Sequence, residues 1–295
     1  MKLENERLCV EIAEKGAEVV RIYDKKKEQD ILWDGKPEFW KRHSPILFPN
    51  VGKTWNNKVL FDGNQYPSSQ HGFARDNDFL CVRAEEKAAV WLLRSSEETK
   101  EVYPFEFELY IMYKLEKNRL YVKWEVKNHS GESMYFTIGG HPAFWCAKGM
   151  ESRNDCYLKF PGKDRLEYIG VDLKTGTALP ETKRSLELKD GYCKLSDELF
   201  ELDTMIFDGG QIEEAWICHL DGTPFAGVEC KDFPNFGIWS VKDSPFVCLE
   251  PWAGRCDNHG FEKDVSEKPG INRVEPGGSF QKEYAIVAGE KSRSG

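Results

Sequence analysis

This chain has no apolar run approaching the roughly 18–20 residues a membrane-spanning helix needs, which excludes a helical membrane protein at the level of sequence. The segment from Met1 to Glu6 lacks the apolar stretch of a secretion signal, so a cytoplasmic location is expected and no membrane partner. Basic charge is also in short supply. Forty-one Lys and Arg face 50 Asp and Glu, giving a formal net charge of −9 with no basic stripe to neutralise phosphates, which excludes nucleic acid as a partner. Paired cysteines are missing. The nine present are an odd number and never form C-x-x-C, so Cys9, Cys81, Cys146, Cys156, Cys193, Cys218, Cys230, Cys248 and Cys256 read as reduced thiols. Most lie in apolar runs such as Phe246 to Leu249, where cysteine serves as a small buried hydrophobe.

Recognised catalytic and ligand motifs are equally scarce. Gly52-Lys53-Thr54 resembles the end of a phosphate-binding loop, but the glycine required five residues earlier is Leu47. No serine sits in a G-x-S-x-G elbow, and no H-x-H, H-E-x-x-H or closely spaced ligand set calls for a metal or other cofactor. Long segments of helical period are absent too; Pro37 to His43 and Ser196 to Phe200 read as brief helices.

What the chain does contain is alternation. Phe105, Phe107, Leu109, Ile111, Tyr113 and Leu115 fall on one face of a strand whose other face carries Glu106, Glu108, Tyr110, Met112 and Lys114. Leu120, Val122, Trp124 and Val126 repeat the pattern after Glu116-Lys117-Asn118, which predicts an antiparallel hairpin. Short strand-like runs recur from Leu8 to Val287, while 160–194 reads as a surface connection with minor strands. No internal repeat or linker divides the chain. One all-β domain over residues 1–289, a sandwich or barrel, is expected, with 290–295 a frayed tail.

Three separated segments place titratable groups among glycines and aromatics: His71-Gly72-Phe73-Ala74-Arg75, Gly140-His141-Pro142-Ala143-Phe144 and Leu249-Glu250-Pro251-Trp252. His141 follows a Gly-Gly pair at a strand end, where sites tend to be built. Glu250 closes an apolar strand, so its carboxylate must be paired, solvated or used, with Arg75 and Arg255 as the candidate partners. His43, His129, His219 and His259 lie in polar surroundings and are expected at the surface.

In order and spacing these three segments resemble the signatures of the aldose 1-epimerase (galactose mutarotase-like) family, and the branch associated with bacterial lactose operons is the best match. Ser44 to Lys53 and Leu199 to Phe207 resemble two further family segments, extending the likeness over nearly the whole chain. The resemblance implies a single large antiparallel β-supersandwich. It implies an isomerase that interconverts α and β anomers of a free aldohexose such as glucose or galactose, with Glu250 as general base and His141 as general acid. His71 would hydrogen-bond the sugar and Asp203 its hydroxyls. Lys53 stands where the family often has arginine, which puts bidentate recognition there in question. Trp252, Phe144, Phe73 and Trp145 are candidates for an apolar platform under the sugar. The chemistry is proton transfer alone, so no cofactor is expected, and the partners expected are the sugar and, at most, a second copy of the chain. Two other readings stand beside it: a hexose 6-phosphate mutarotase, with Lys53, Arg75 and Arg255 forming a phosphate pocket, and a non-catalytic carbohydrate sensor on the same fold.

Overall fold

The computed structural model describes residues 1–146 and 152–289; the expected tail at 290–295 lies outside the described residues. The predicted hairpin forms with Phe107–Glu116 and Arg119–Asn128 in strict register, and its tight turn places Lys117 at φ 52°. Phe107 to Leu115 and Leu120 to Val126 bury their apolar faces as alternation predicts, including Trp124 at 0% exposure. Around this hairpin grows a nine-stranded sheet in the order Tyr192–Lys194, Tyr157–Lys159, Glu214–Cys218, Pro224–Glu229, Ser279–Ala288, Arg119–Asn128, Phe107–Glu116, Ala88–Arg94, Leu80–Ala84.

Against its apolar face pack a six-stranded sheet (Met205–Asp208, Asn235–Trp239, Phe246–Ala253, Ile138–Gly140 and Ile46–Leu47, with Ala143–Trp145 alongside) and a four-stranded sheet from residues 2–30. One apolar cluster unites them, containing Leu109, Ile111 and Trp124 from the large sheet, Val247 and Leu249 from the second, and Val10 and Ile22 from the third. Every named strand pair among the described residues is antiparallel, so the architecture is the expected antiparallel β-supersandwich. No helix of the described residues is long and apolar enough to cross a membrane.

Two local expectations need correction. Within 37–43 only residues 37–39 form a turn, closed by the Trp40 N–H donating to the Lys36 carbonyl at 3.1 Å, and no helix follows. The Trp40 carbonyl instead accepts from Trp33 Nε1 at 2.8 Å, which ties the turn to the sheet. The only α-helix among the described residues, Glu97–Lys100, was not anticipated; Ser96 and Thr99 form its reciprocal cap. The stretch 160–194 carries minor strands as expected, at Arg165–Tyr168, Arg184–Glu187 and Tyr192–Lys194. All nine cysteines are free, and all but Cys81 and Cys193 are buried.

Candidate functional site

The strand Phe246–Ala253 is buried along its whole length, yet its two faces serve different neighbours. Val247, Leu249 and Ala253 enter the main core, whereas Phe246 and Cys248 join a separate cluster with Trp33 and Ala143. Period-two alternation therefore turns Glu250 and Trp252 away from the main core. The segment bearing His141 runs beside this strand twice: Ile138–Gly140 pairs with Trp252 and Ala253, and Ala143–Trp145 pairs with Phe246 to Cys248. His141 and Pro142 bridge the two pairings, with the His141 N–H donating to the Pro45 carbonyl at 3.1 Å. Sheet register thus delivers the imidazole to the carboxylate. His141 Nε2 stands 3.3 Å from Glu250 Oε2.

Neither Glu250 oxygen has a hydrogen-bond partner among the described residues, and the residue is 1% exposed. An ionised carboxylate there costs several kcal/mol of desolvation, against about 1–3 kcal/mol for an unsatisfied neutral group. Burial accordingly pushes the Glu250 carboxyl well above its usual range; the neighbouring Trp252 indole N–H, too poorly placed for a regular hydrogen bond, opposes this, and the negative charge of Asp203 adds to it. Burial pushes His141 down to about 3. In the sugar-free state both shifts favour the uncharged pair, which differs from the ion pair only by one proton moved between the two side chains. The imidazole is gripped by aromatic rings: Trp40 stacks on it at 4.8 Å and 26°, and Trp239 meets it edge-on at 5.7 Å.

His71 lies 5.4 Å from His141, ring centre to ring centre. Its backbone sits at φ 66°, uncommon for a residue with a side chain, and the following Gly72 is also left-handed. A Cβ on Gly72 would come within 2.2 Å of the Phe48 carbonyl oxygen, so glycine is required for this turn. His71 and Gly52 bond reciprocally: the His71 N–H donates to the Gly52 carbonyl at 2.8 Å, and the Gly52 N–H donates to His71 Nδ1 at 3.0 Å. Nδ1 is therefore an acceptor, and the neutral ring carries its proton on Nε2.

Burial holds His71 neutral, well below its usual range, reinforced by the positive charge His141 would carry and by Arg75 and Arg42. This sets a sign for acid stability. Below about pH 6.5 the unfolded His71 binds a proton that the folded ring refuses, so His71 makes the protein lose stability as pH falls, by up to ~1.4 kcal/mol per pH unit. His71→Gln, which cannot titrate, should shallow the fall in urea-unfolding free energy between pH 6.5 and 4.5. Identical slopes for the two proteins would contradict the assignment.

A cleft of about 390 Å³ gathers His71, Arg75, His141, Asp203, Glu250 and Trp252 on one wall system. Asp203 is exposed at φ 61°, on the turn after the 3₁₀ helix Asp197–Phe200, and accepts from Thr204 Oγ1 at 2.9 Å. Trp252 is 4% exposed, and a Cβ on Gly139 or Gly237 would reach its ring at 2.4 or 2.3 Å, so two glycines on neighbouring strands make the slot it occupies. Arg75 donates to the Gln70 carbonyl at 2.7 Å; burial and the nearby Arg42 lower it to about 10, leaving it charged at neutral pH.

Two other candidates are placed elsewhere. Phe144, 0% exposed, is in the main core, because its side chain alternates to the opposite face from the cleft. Lys53 does not line the cleft; its aliphatic stem packs on Gly176, whose backbone does. Of the other platform candidates, Phe73 packs on the core beside Phe48, and Trp145 stands 4.7 Å from Trp33. Arg255 is drawn away by Asp208 at 3.0 Å and Asn258 at 2.8 Å, so neither it nor Arg75 pairs with Glu250. His43 is half-buried against Glu18, at 3.6 Å, and His219 is also half-buried, so the surface expectation fits only His129 and His259. Trp40, Lys41, Arg42, Gln70, Thr204 and Trp239, none of them expected from the sequence, also line the cleft. Only Trp40 offered a signal, as an aromatic in a Pro- and Gly-flanked turn.

The aldose 1-epimerase family model matches residues 1–257, and the chain belongs to that family. A plasmid-encoded LacX protein of Lactococcus lactis is 28% identical, covering 97% of this chain and 98% of its own. A crystal structure described as a galactose mutarotase related enzyme from Lactobacillus acidophilus is 32% identical, superimposes with a TM-score of 0.91 and covers 99% of this chain and 98% of its own. A galactose mutarotase-like protein from Lactobacillus casei, 28% identical, gives 0.88 over 97% and 99%.

Proposed function

We propose that this protein is an aldose mutarotase acting on a free aldohexose such as glucose or galactose, with Glu250 as base and His141 as acid. The observation that carries this reading is the 3.3 Å approach of the two side chains on one wall of a cleft, with neither carboxylate oxygen in a hydrogen bond among the described residues. A sugar hydroxyl supplies the missing donor. Once an anomeric hydroxyl points at Glu250, the ionised carboxylate gains a hydrogen bond, and the shared proton moves to His141. Glu250 then takes the C1 hydroxyl proton while His141 protonates the ring oxygen, the C1–O5 bond breaks, and an open-chain aldehyde forms. Rotation about C1–C2 presents the other face of the aldehyde, and ring closure with the two roles reversed yields the other anomer. Nε2–H of His71 is a donor for the sugar, Asp203 an acceptor for its hydroxyls, and Trp252 an apolar surface for its C–H face.

A second reading, a mutarotase for phosphorylated hexoses, draws support from one observation. Lys41, Arg42 and Arg75 line the cleft, although Asp76 already holds Arg42 at 2.8 Å. The phosphate pocket foreseen from Lys53, Arg75 and Arg255 is replaced in this reading by these three. Polarimetry of freshly dissolved α-glucose, α-galactose and glucose 6-phosphate decides between the readings. The free sugars should show the higher kcat/KM. A strong preference for the phosphate ester that weakens as salt rises would select the second reading, and sugar binding without anomerisation above buffer would leave a sensor.

A further inference from the structure

His141 is remote in the chain from Cys248 and Glu250, but the fold brings the three together as a candidate ligand set. Cys248 and Glu250 are two apart on one strand and share a face; the crossing of the segment bearing His141 adds an imidazole. One ligand atom from each, all three residues buried, lies within 4.8 Å of the other two. Ligand atoms on a tetrahedral zinc ion stand roughly 3.3–3.8 Å apart, so shifts of about an ångström close the set.

The surroundings also favour a cation. Among the described residues, both Glu250 oxygens and His141 Nδ1 are buried without a hydrogen-bond partner, and the Cys248 thiol is buried and in no disulfide. A thiolate, a carboxylate and a neutral imidazole carry two negative charges, which a divalent ion cancels, and a neutral complex suits a site where single charges are costly. His141 and Glu250 face the cleft, leaving a fourth coordination position open toward it.

We propose that His141, Cys248 and Glu250 form a site for one thiophilic divalent cation, with zinc as its representative, and that occupancy shuts off the enzyme. Binding takes a proton from the Cys248 thiol and the proton shared by the Glu250–His141 pair, so two protons leave per ion bound. The metal then occupies the atoms that serve as base and acid. The inhibitory half of this inference rests on the mutarotase reading; the binding half does not.

Cobalt(II) is the direct probe. One equivalent should produce the near-ultraviolet sulfur-to-cobalt charge-transfer band of a thiolate ligand, zinc should displace it, and calorimetry in two buffers of different ionisation enthalpy should report two protons released per zinc. Cys248→Ala and Cys248→Ser should each lose the band and at least ~100-fold of zinc affinity, since even residues behind a metal ligand are worth 10–100-fold. Zinc should abolish wild-type anomerisation reversibly, with recovery on adding a chelator. Cobalt binding without the band, or unchanged zinc affinity in both variants, overturns the site. A band together with undiminished anomerisation at saturating zinc overturns the inhibition alone. A protein with no anomerisation at all refutes the mutarotase reading, while the cobalt band still decides the site.

Discussion

Replacing Glu250 by Gln should lower kcat for anomerisation by about 10²–10⁴-fold, the range associated with loss of a positioned acid or base. Glutamine preserves the shape of a side chain that is 1% exposed and meets the ring of His141 at 3.3 Å, but it cannot accept the anomeric proton. Sugar affinity, measured by titration calorimetry, should change only a few-fold, because His71, Asp203 and Trp252 remain. Thermal unfolding supplies the control. A buried carboxyl with two unpartnered oxygens contributes little to the fold, so Glu250→Gln should be at least as stable as the wild type. A variant that anomerises sugars at the full rate would show that Glu250 is not the base.

His141→Asn should cause a loss of the same order, because the ring oxygen must be protonated as the C1–O5 bond breaks. Asparagine also gives up the 4.8 Å stack on Trp40, so some loss of stability accompanies it, and rates must be compared at a temperature where both proteins are folded. The informative measurement is the double variant. Base and acid serve one step, so Glu250→Gln combined with His141→Asn should fall only modestly below the slower single variant. Losses that multiply would mean that the two residues act in separate events.

Much of this site was legible in the chain because strand period and segment order are local properties. The apolar run Phe246 to Leu249 already marked Glu250 as a carboxylate closing a strand, and His141 stood out as a strand-end residue behind two glycines. Phe144 shows the limit of such reasoning. It lies three residues from His141 in a signature segment, yet strand pairing after Pro142 turns it into the core. Lys53 and Arg255 show another limit: charge type was visible, but competition from Asp208 and packing on Gly176 were not. Trp40, Arg42 and Trp239 were missed because they reach the cleft through long-range contacts that leave no trace in local spacing. The His141–Cys248–Glu250 grouping was invisible for the same reason.

The position of Ser279–Ala288 has a consequence for synthesis. This strand is the fifth of nine in the large sheet, joining Pro224–Glu229 on one side to Arg119–Asn128 on the other, yet it follows every other strand of that sheet in the chain. While a ribosome is still making it, the two flanking blocks wait with open hydrogen-bonding edges at the seam where they will meet. Domains emerge at about 5–20 residues per second, and unpaired edges in that interval invite pairing with other chains. The final rung therefore works as a keystone, and a nascent chain stalled before residue 279 would be a ready substrate for chaperones and for aggregation.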